Sequence, residues 1–366
     1  MNWTSKLFVI PWLMMIGIFV LVIIGTMALY SASDGVWTAS VQQHLLRSAI
    51  GFIIATFIAF IPINWLFRTS FIVWLAIVGL LAVIPFIGVG AGATRWIDLG
   101  FMNFQPSEPA KIAVILFLAR YLSLRTVDQI DKLIIYLPAI VIIIIPTALV
   151  LKQPDLGTGL MIFVGGLSVI FVSGLPKRYV LLGLGTVAAS IPVIWGQLYD
   201  YQKARLLTFL NPEKDVLGAG WQITQSKIAL GSGGLFGKGY LQGSQSQLDY
   251  LPEKQTDFVF TLIGEEFGFV GSMTIILIYF LIILSITGIG MRAKNRFTRL
   301  VASGLAMVIF LYVFINIAMV TGVLPVVGAP LPLISYGGTA MLTIFLILGI
   351  CINLSLNSFK EDIEIS

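Results

Sequence analysis

The chain has 366 residues, 58% of them hydrophobic and 11% charged, with a formal net charge of +5 and a mean hydropathy of +0.99. A soluble domain carries about 25% charged residues, so a water-soluble fold is excluded. Apolar runs near ~20 residues, the length that spans a ~30 Å hydrocarbon core, recur throughout; their continuity excludes a β-barrel, whose strands alternate.

In chain order the runs lie at 8–30, 45–63, 71–90, 106–122, 133–151, 156–173 and 179–195, then 267–290, 300–322 and 339–357. They predict an all-α polytopic membrane protein: a single integral membrane domain over 1–366, with about ten transmembrane helices. The first run is too long for a signal-peptide core and has no A-x-A site behind it, so it reads as a span. Lys6, Arg68, Arg120, Arg125, Lys132, Lys177, Arg178, Arg292, Lys294, Arg296, Arg299 and Lys360 fall on one set of alternating connections. The short connections of the other set hold only Arg47, Arg95 and Lys152. By the positive-inside rule both termini are cytoplasmic. Basic residues dispersed in this way carry no nucleic-acid signature. His44, the one histidine, rules out a His-rich metal site and is expected at the bilayer interface with its tip wet. Cys351, the one cysteine, lies in the last run, so no disulfide framework exists.

Residues 196–266, between spans seven and eight, form one large outer loop. At about 70 residues it is severalfold longer than an ordinary connection, which marks it as functional or disordered. Trp221, Ile223, Ile228, Leu230, Leu235, Phe236 and Tyr240 give it apolar material to bury, which speaks against disorder. Eight of the seventeen Asp and Glu residues fall between Asp200 and Glu266, a concentration that points to chemistry. Ile223 to Leu230 predicts a short interfacial helix with Trp221 as anchor. The glycines from Gly231 to Gly243 predict turns whose amides can approach a ligand, and Leu251-Pro252-Glu253 predicts a helix start. Val323 to Gly338 reads as an outer loop of Pro and Gly.

Asp257 is the foremost catalytic candidate. On a helix it shares a face with Glu253, four residues earlier, and like charge with partial burial raises a carboxyl pKa toward what a general base needs. Two solvated carboxylates favoured by a helix dipole fit the same spacing. Glu108 and Lys111, three apart at the head of the fourth span, should form a pair, because an intramembrane charge costs ~2.5–3.5 kcal/mol; a structural clamp fits equally. Arg95, Lys152 beside Gln153, Arg205, Lys227 and Lys238 are outer-side cations that suit a diphosphate if several converge. Translocated loops also carry basic residues for no such reason. Gly237-Lys238 is not a Walker A loop, since Ser232 and Gly239 stand where glycine and Ser or Thr belong. Nor is there a Ser–His pair for acyl transfer.

Arg95-Trp-Ile-Asp-Leu-Gly, Gln105-Pro-Ser-Glu, Gln153-Pro-Asp-Leu-Gly-Thr, Gln225-Ser-Lys-Ile-Ala-Leu-Gly-Ser-Gly-Gly, Leu251-Pro-Glu-Lys-Gln-Thr-Asp-Phe and Ser335-Tyr-Gly-Gly-Thr occur in that order. Together they resemble the SEDS family (shape, elongation, division, sporulation) over essentially the whole chain. One departure is Lys203, where relatives often carry arginine. The resemblance implies a peptidoglycan glycosyltransferase that polymerises lipid II at the outer face of the bacterial cytoplasmic membrane during elongation. It implies an essential Asp257, a Glu108–Lys111 pair that matters for activity, and a class B penicillin-binding protein as partner within the elongation complex.

The mechanism expected on this basis has Asp257, tuned by Glu253, taking the proton from the acceptor sugar's 4-hydroxyl. Arg205, Lys152 and Lys111 would stabilise the departing undecaprenyl diphosphate. Arg95, Lys227, Gln153, Glu108 and Ser335 complete the expected substrate-binding set. No cofactor is required by this scheme; whether a divalent cation (Mg or Mn) binds Asp257, Glu253 and Asp155 is left open. A lipid-linked-precursor flippase and a non-catalytic scaffold for the penicillin-binding protein are the alternatives. The flippase needs a polar path across the bilayer, and charges other than Glu108 and Lys111 are nearly absent from the spans.

Overall fold

The computed structural model describes residues 11–89, 94–100, 102–197, 203, 207–209, 219–244 and 253–358. Its helices in chain order are α1 Trp12–Ala32, α2 Ala39–Ala59, α3 Ile63–Ile87, α4 Ser107–Ser123, the short α5 Val127–Ile130 and α6 Tyr136–Lys152. Then follow α7 Leu156–Val172, α8 Lys177–Gln197, α9 Ala219–Ser232, α10 Val259–Arg292, α11 Arg296–Val320 and α12 Gly338–Asn357. Each of the ten apolar runs falls on one of these helices, with ends shifted by a turn or two. Among the described residues seven helices (α1, α2, α3, α6 with its leading 3-10 turn, α10, α11 and α12) are long and apolar enough to cross a membrane, and α7 is a shorter apolar helix. The chain is thus a multi-pass helical membrane protein. A two-residue-per-strand hairpin, β1 Ile97–Asp98 with β2 Asn103–Phe104, precedes α4.

Sequence chemistry sets the helix starts. Asp155 caps α7 by accepting from the Thr158 amide at 3.1 Å, and Asn295 caps α11 by accepting from Thr298 at 2.7 Å, so amides that no earlier turn can satisfy are met. The centre of the bundle is α4, α11 and α12. The most apolar stretches of α11 and α12 are 72% and 78% buried, against 22% for α3. Lipid tails are as apolar as leucine, so helices in a bilayer gain by packing closely through small residues. A Cβ on Gly349 of α12 would lie 2.7 Å from the Ala55 carbonyl of α2, and one on Gly51 would overlap the Phe345 ring. These two helices cross at backbone contact.

The connection over 323–338 is irregular backbone as expected, but its middle folds into the bundle: Leu331, Leu333, Ile334 and Ser335 are almost fully buried, and Tyr279 of α10 donates its hydroxyl to the Pro332 carbonyl. The Pro and Gly content serves a segment folded into the bundle. His44 is 1% exposed rather than interfacial, and neither ring nitrogen makes a hydrogen bond of normal geometry. The α9 helix, Ala219–Ser232, is longer than the expected 223–230. Its Ser226 hydroxyl bonds Thr261 Oγ1 of α10 at 2.6 Å and the Val320 carbonyl of α11 at 2.7 Å.

The glycine-rich turn after α9 splices into a break in α10. Gly268 has φ 65° and ψ −158°, which interrupts the helical ladder. The amides of Phe269 and Val270 donate instead to Gly234 and Leu235 carbonyls at 2.9 and 3.0 Å. In exchange the carbonyls of Glu265 and Glu266 accept from the Lys238 and Gly239 amides at 3.0 and 3.1 Å. Every strand of this exchange is backbone to backbone, so glycine is required: a Cβ on Gly268 would sit 2.4 Å from the Gly237 nitrogen. The Lys238 and Gly239 amides expected to meet a ligand are therefore committed to α10.

Candidate active site

Asp257 lies in the turns over 253–258 that lead into α10, whose N-cap is Phe258. A carboxylate just ahead of a helix start is favoured by the unpaired amides and the helix dipole. The expected helix beginning at Pro252 is absent from 253–258, so Glu253 does not share a helical face with Asp257. The Glu253 backbone instead accepts from the Thr256 and Phe258 amides at 3.1 and 3.2 Å, and its exposed carboxylate accepts from Thr256 Oγ1 at 2.7 Å.

Beneath Asp257 the backbone is held from several sides. Asn316 of α11 donates through Nδ2 to the Asp257 carbonyl at 2.9 Å and to the Ala329 carbonyl at 2.7 Å. Ser335 donates its hydroxyl to the Thr256 carbonyl while accepting the Leu331 amide at 2.8 Å. Tyr336 N–H donates to the Gln255 carbonyl at 2.8 Å. On the other side, Lys254 faces Asp34 at 3.9 Å and Gln255 Nε2 reaches Ser33 at 3.4 Å. Gly328 brings the inserted segment against the site. Its φ of +74° is open to glycine, and a Cβ there would stand 3.4 Å from Asp257 Oδ2. Ser335, expected among substrate-binding residues, is 2% exposed and ties two backbones together.

A second polar centre lies inside the bundle. Glu108 and Lys111, 3% and 1% exposed, form the expected pair with Nζ to Oε1 at 2.7 Å. Tyr312 of α11 closes the ring. Its hydroxyl bonds both Lys111 Nζ and Glu108 Oε2, and the ammonium lies 4.1 Å from its ring centroid. A buried pair holds its charges only when the remaining donors and lone pairs are met, and the tyrosine supplies that.

The expected cations divide. Arg95 donates through Nε to the Gln153 carbonyl at 3.0 Å and through Nη2 to that of Pro154, while Gln153 donates to Leu81 O at 3.0 Å and is buried. Arg95 thus stitches the hairpin segment to the α6–α7 connection, and Gln153 stitches that connection to α3. Lys238 is paired with Glu265 at 2.7 Å. Lys227 is exposed beside the α11 C-terminus, where a Cβ on Gly322 would lie 2.6 Å from its Nζ. Lys152, the last residue of α6, is exposed. Arg205 lies outside the described residues. Asp155, Glu253 and Asp257 are not gathered for an ion: among the described residues no three acidic, His or Cys side chains stand close enough to hold a metal. The Asp155 carboxylate is taken by the Thr158 amide and Gln105 Nε2 at 3.0 Å.

Several polar residues escaped sequence reasoning. Tyr312 and Asn316 read as members of an ordinary span. Glu265 and Glu266 were assigned to the outer loop but sit within α10, 0% and 1% exposed. Ser31 of α1 donates to Glu266 Oε1, and the other oxygen is buried without a normal hydrogen bond. Arg47 lies 4.9 Å from the Tyr336 ring centroid. The available signal was a polar residue inside an apolar run, which is costly enough to need a reason.

Comparison with known proteins agrees with this architecture. Residues 4–360 match the family model for FtsW, RodA and SpoVE, described as cell cycle protein. The chain is 43% identical over 345 residues to the peptidoglycan glycosyltransferase MrdB of Escherichia coli, covering 91% of this chain and 92% of that protein. It is 36% identical to stage V sporulation protein E of Bacillus subtilis, covering 92% and 94%. Among solved structures it is similar to a chain of a peptidoglycan synthase complex that coordinates polymerization and crosslinking (TM-score 0.83, 29% identity, 95% and 98% covered). It is also similar to the rod shape determining protein RodA of Thermus thermophilus (TM-score 0.74, 26% identity, 98% and 100% covered). By ordered motifs, fold and extent of match, the chain belongs to the FtsW/RodA/SpoVE family of cell cycle proteins, the SEDS family.

Proposed function

We propose that the chain polymerises lipid II into glycan strands at the outer face of the bacterial cytoplasmic membrane, with Asp257 as general base. The reading has ten spans, both termini cytoplasmic, and the long connection from residue 196 to the start of α10 outside, as the distribution of Lys and Arg supports. Asp257 takes the proton from the acceptor 4-hydroxyl; that oxygen bonds the donor's anomeric carbon with inversion, and the bond to undecaprenyl diphosphate breaks. Lys152 and Lys227, exposed at helix ends, and Arg205 are the cations for the leaving diphosphate. Lys111 is occupied by Glu108 and Tyr312, so it acts through its field and by shaping the bundle beneath the site. The partner is a class B penicillin-binding protein, which crosslinks the strand as it emerges; relatives named as peptidoglycan glycosyltransferases and as part of a peptidoglycan synthase complex support both points.

The observation that carries the reading is the placing of Asp257: one carboxylate at a helix start, on a backbone fixed by Asn316, Ser335 and Tyr336. Against a flippase, the buried carboxylates of α10 are already engaged, Glu265 by Lys238 and Glu266 by Ser31. The test is purified chain with its partner, labelled lipid II, and the transpeptidase blocked by a β-lactam. Glycan polymer is the expected product. Transbilayer movement of lipid II without polymer would select the flippase, and polymer only when another polymerase is added would select the scaffold.

A further inference from the structure

Tyr312 and Asn316 lie four residues apart on α11, hence on one face and about 6 Å apart along the axis. Tyr312 holds the Glu108–Lys111 pair through both members. Asn316 holds the backbone of Asp257 and, through Ala329, the inserted segment that lies against the Asp257 carboxylate. One helical turn thus touches both polar centres. The Asn316 amide is placed for its two donors. It is 0% exposed, and its Oδ1 is buried without a partner, a cost that an apolar side chain of the same size would avoid.

We propose that Tyr312 and Asn316 are positioning residues that fix the separation between the Asp257 carboxylate and the Glu108–Lys111 pair during glycosyl transfer. The inference rests on the reading of Asp257 as general base. Neither residue touches the reacting atoms; each acts through a group that the reaction uses. General-base catalysis depends on the oxygen meeting the hydroxyl within hydrogen-bond reach, and a displacement near 1 Å far from the chemistry can lower rate ~100-fold. A shift of the Asp257 backbone would show in turnover more than in lipid binding, because a general base acts on the reacting hydroxyl in the transition state.

The experiment measures initial polymerisation rates of the full chain with its partner over a range of labelled lipid II concentrations and pH. Tyr312→Phe deletes one oxygen and keeps the ring; Asn316→Leu deletes both donors at similar volume. Each is expected to lower kcat about 10- to 100-fold with KM nearly unchanged. Tyr312→Phe should also displace the pH profile of kcat. In an Asp257→Asn background neither should lower the residual rate further. Wild-type kcat in Tyr312→Phe, or a rise in KM alone, overturns the proposal. If Asn316→Leu fails to fold, Tyr312→Phe decides by itself. Full activity in Asp257→Asn would instead sink the general-base reading, so the two failures are distinguishable.

Discussion

Glu108 and Lys111 are charges that the bilayer tolerates only as a closed unit with Tyr312. Deleting one partner leaves the other buried and uncompensated, a loss of about 3–5 kcal/mol. Lys111→Ala is therefore expected to lower thermal stability in detergent strongly. The double variant Glu108→Leu with Lys111→Met should recover most of that stability yet remain inactive in polymerisation. Equal stability of Lys111→Ala and the parent would mean that the pair is not held as described. The pair was legible in the sequence because spacing of three and intramembrane cost both demand it. Its third member was not, since a tyrosine in an apolar run has no spacing rule that reaches from α4 to α11. Asn316 escaped for the same reason: its partners, Asp257 and Ala329, are non-local.

At the scale of elements, apolar runs located the helices well, because span length is set by the bilayer. What composition could not show was backbone exchange. The turn at 233–239 reads as ligand-ready glycine, yet Gly233 and Gly237 lie against the backbone of α10, where a Cβ would overlap the Gly264 and Glu266 carbonyls. Gly268→Ala places a Cβ at φ 65° and against the Gly237 nitrogen, costing about 1–3 kcal/mol for the conformation alone. Its thermal midpoint is expected to fall markedly, while Gly183→Ala, on an open face of α8, should not lower it. An unchanged midpoint for Gly268→Ala would contradict the splice. Over 323–338, likewise, Pro and Gly mark irregular backbone but do not say that its middle, Leu331 to Ser335, is buried.

At the scale of the whole molecule, the proposed orientation, with both termini cytoplasmic, rests on the asymmetry of Lys and Arg. Cys351 is fully buried, so the parent should react little with a membrane-impermeant thiol reagent. Val36→Cys, exposed between α1 and α2, should label in intact cells; Leu124→Cys, exposed after α4, should label only after the membrane is opened. The reverse pattern would place Asp257 on the cytoplasmic side and remove it from its substrate. Within the proposed orientation, the central claim concerns one proton. The direct measurement is the turnover rate of the purified complex on labelled lipid II with Asp257 changed to Asn, which keeps shape and removes the base. The expected result is a loss of ~10²–10⁴-fold with folding and partner binding intact. Polymer formed by Asp257→Asn at the parent rate would contradict the account.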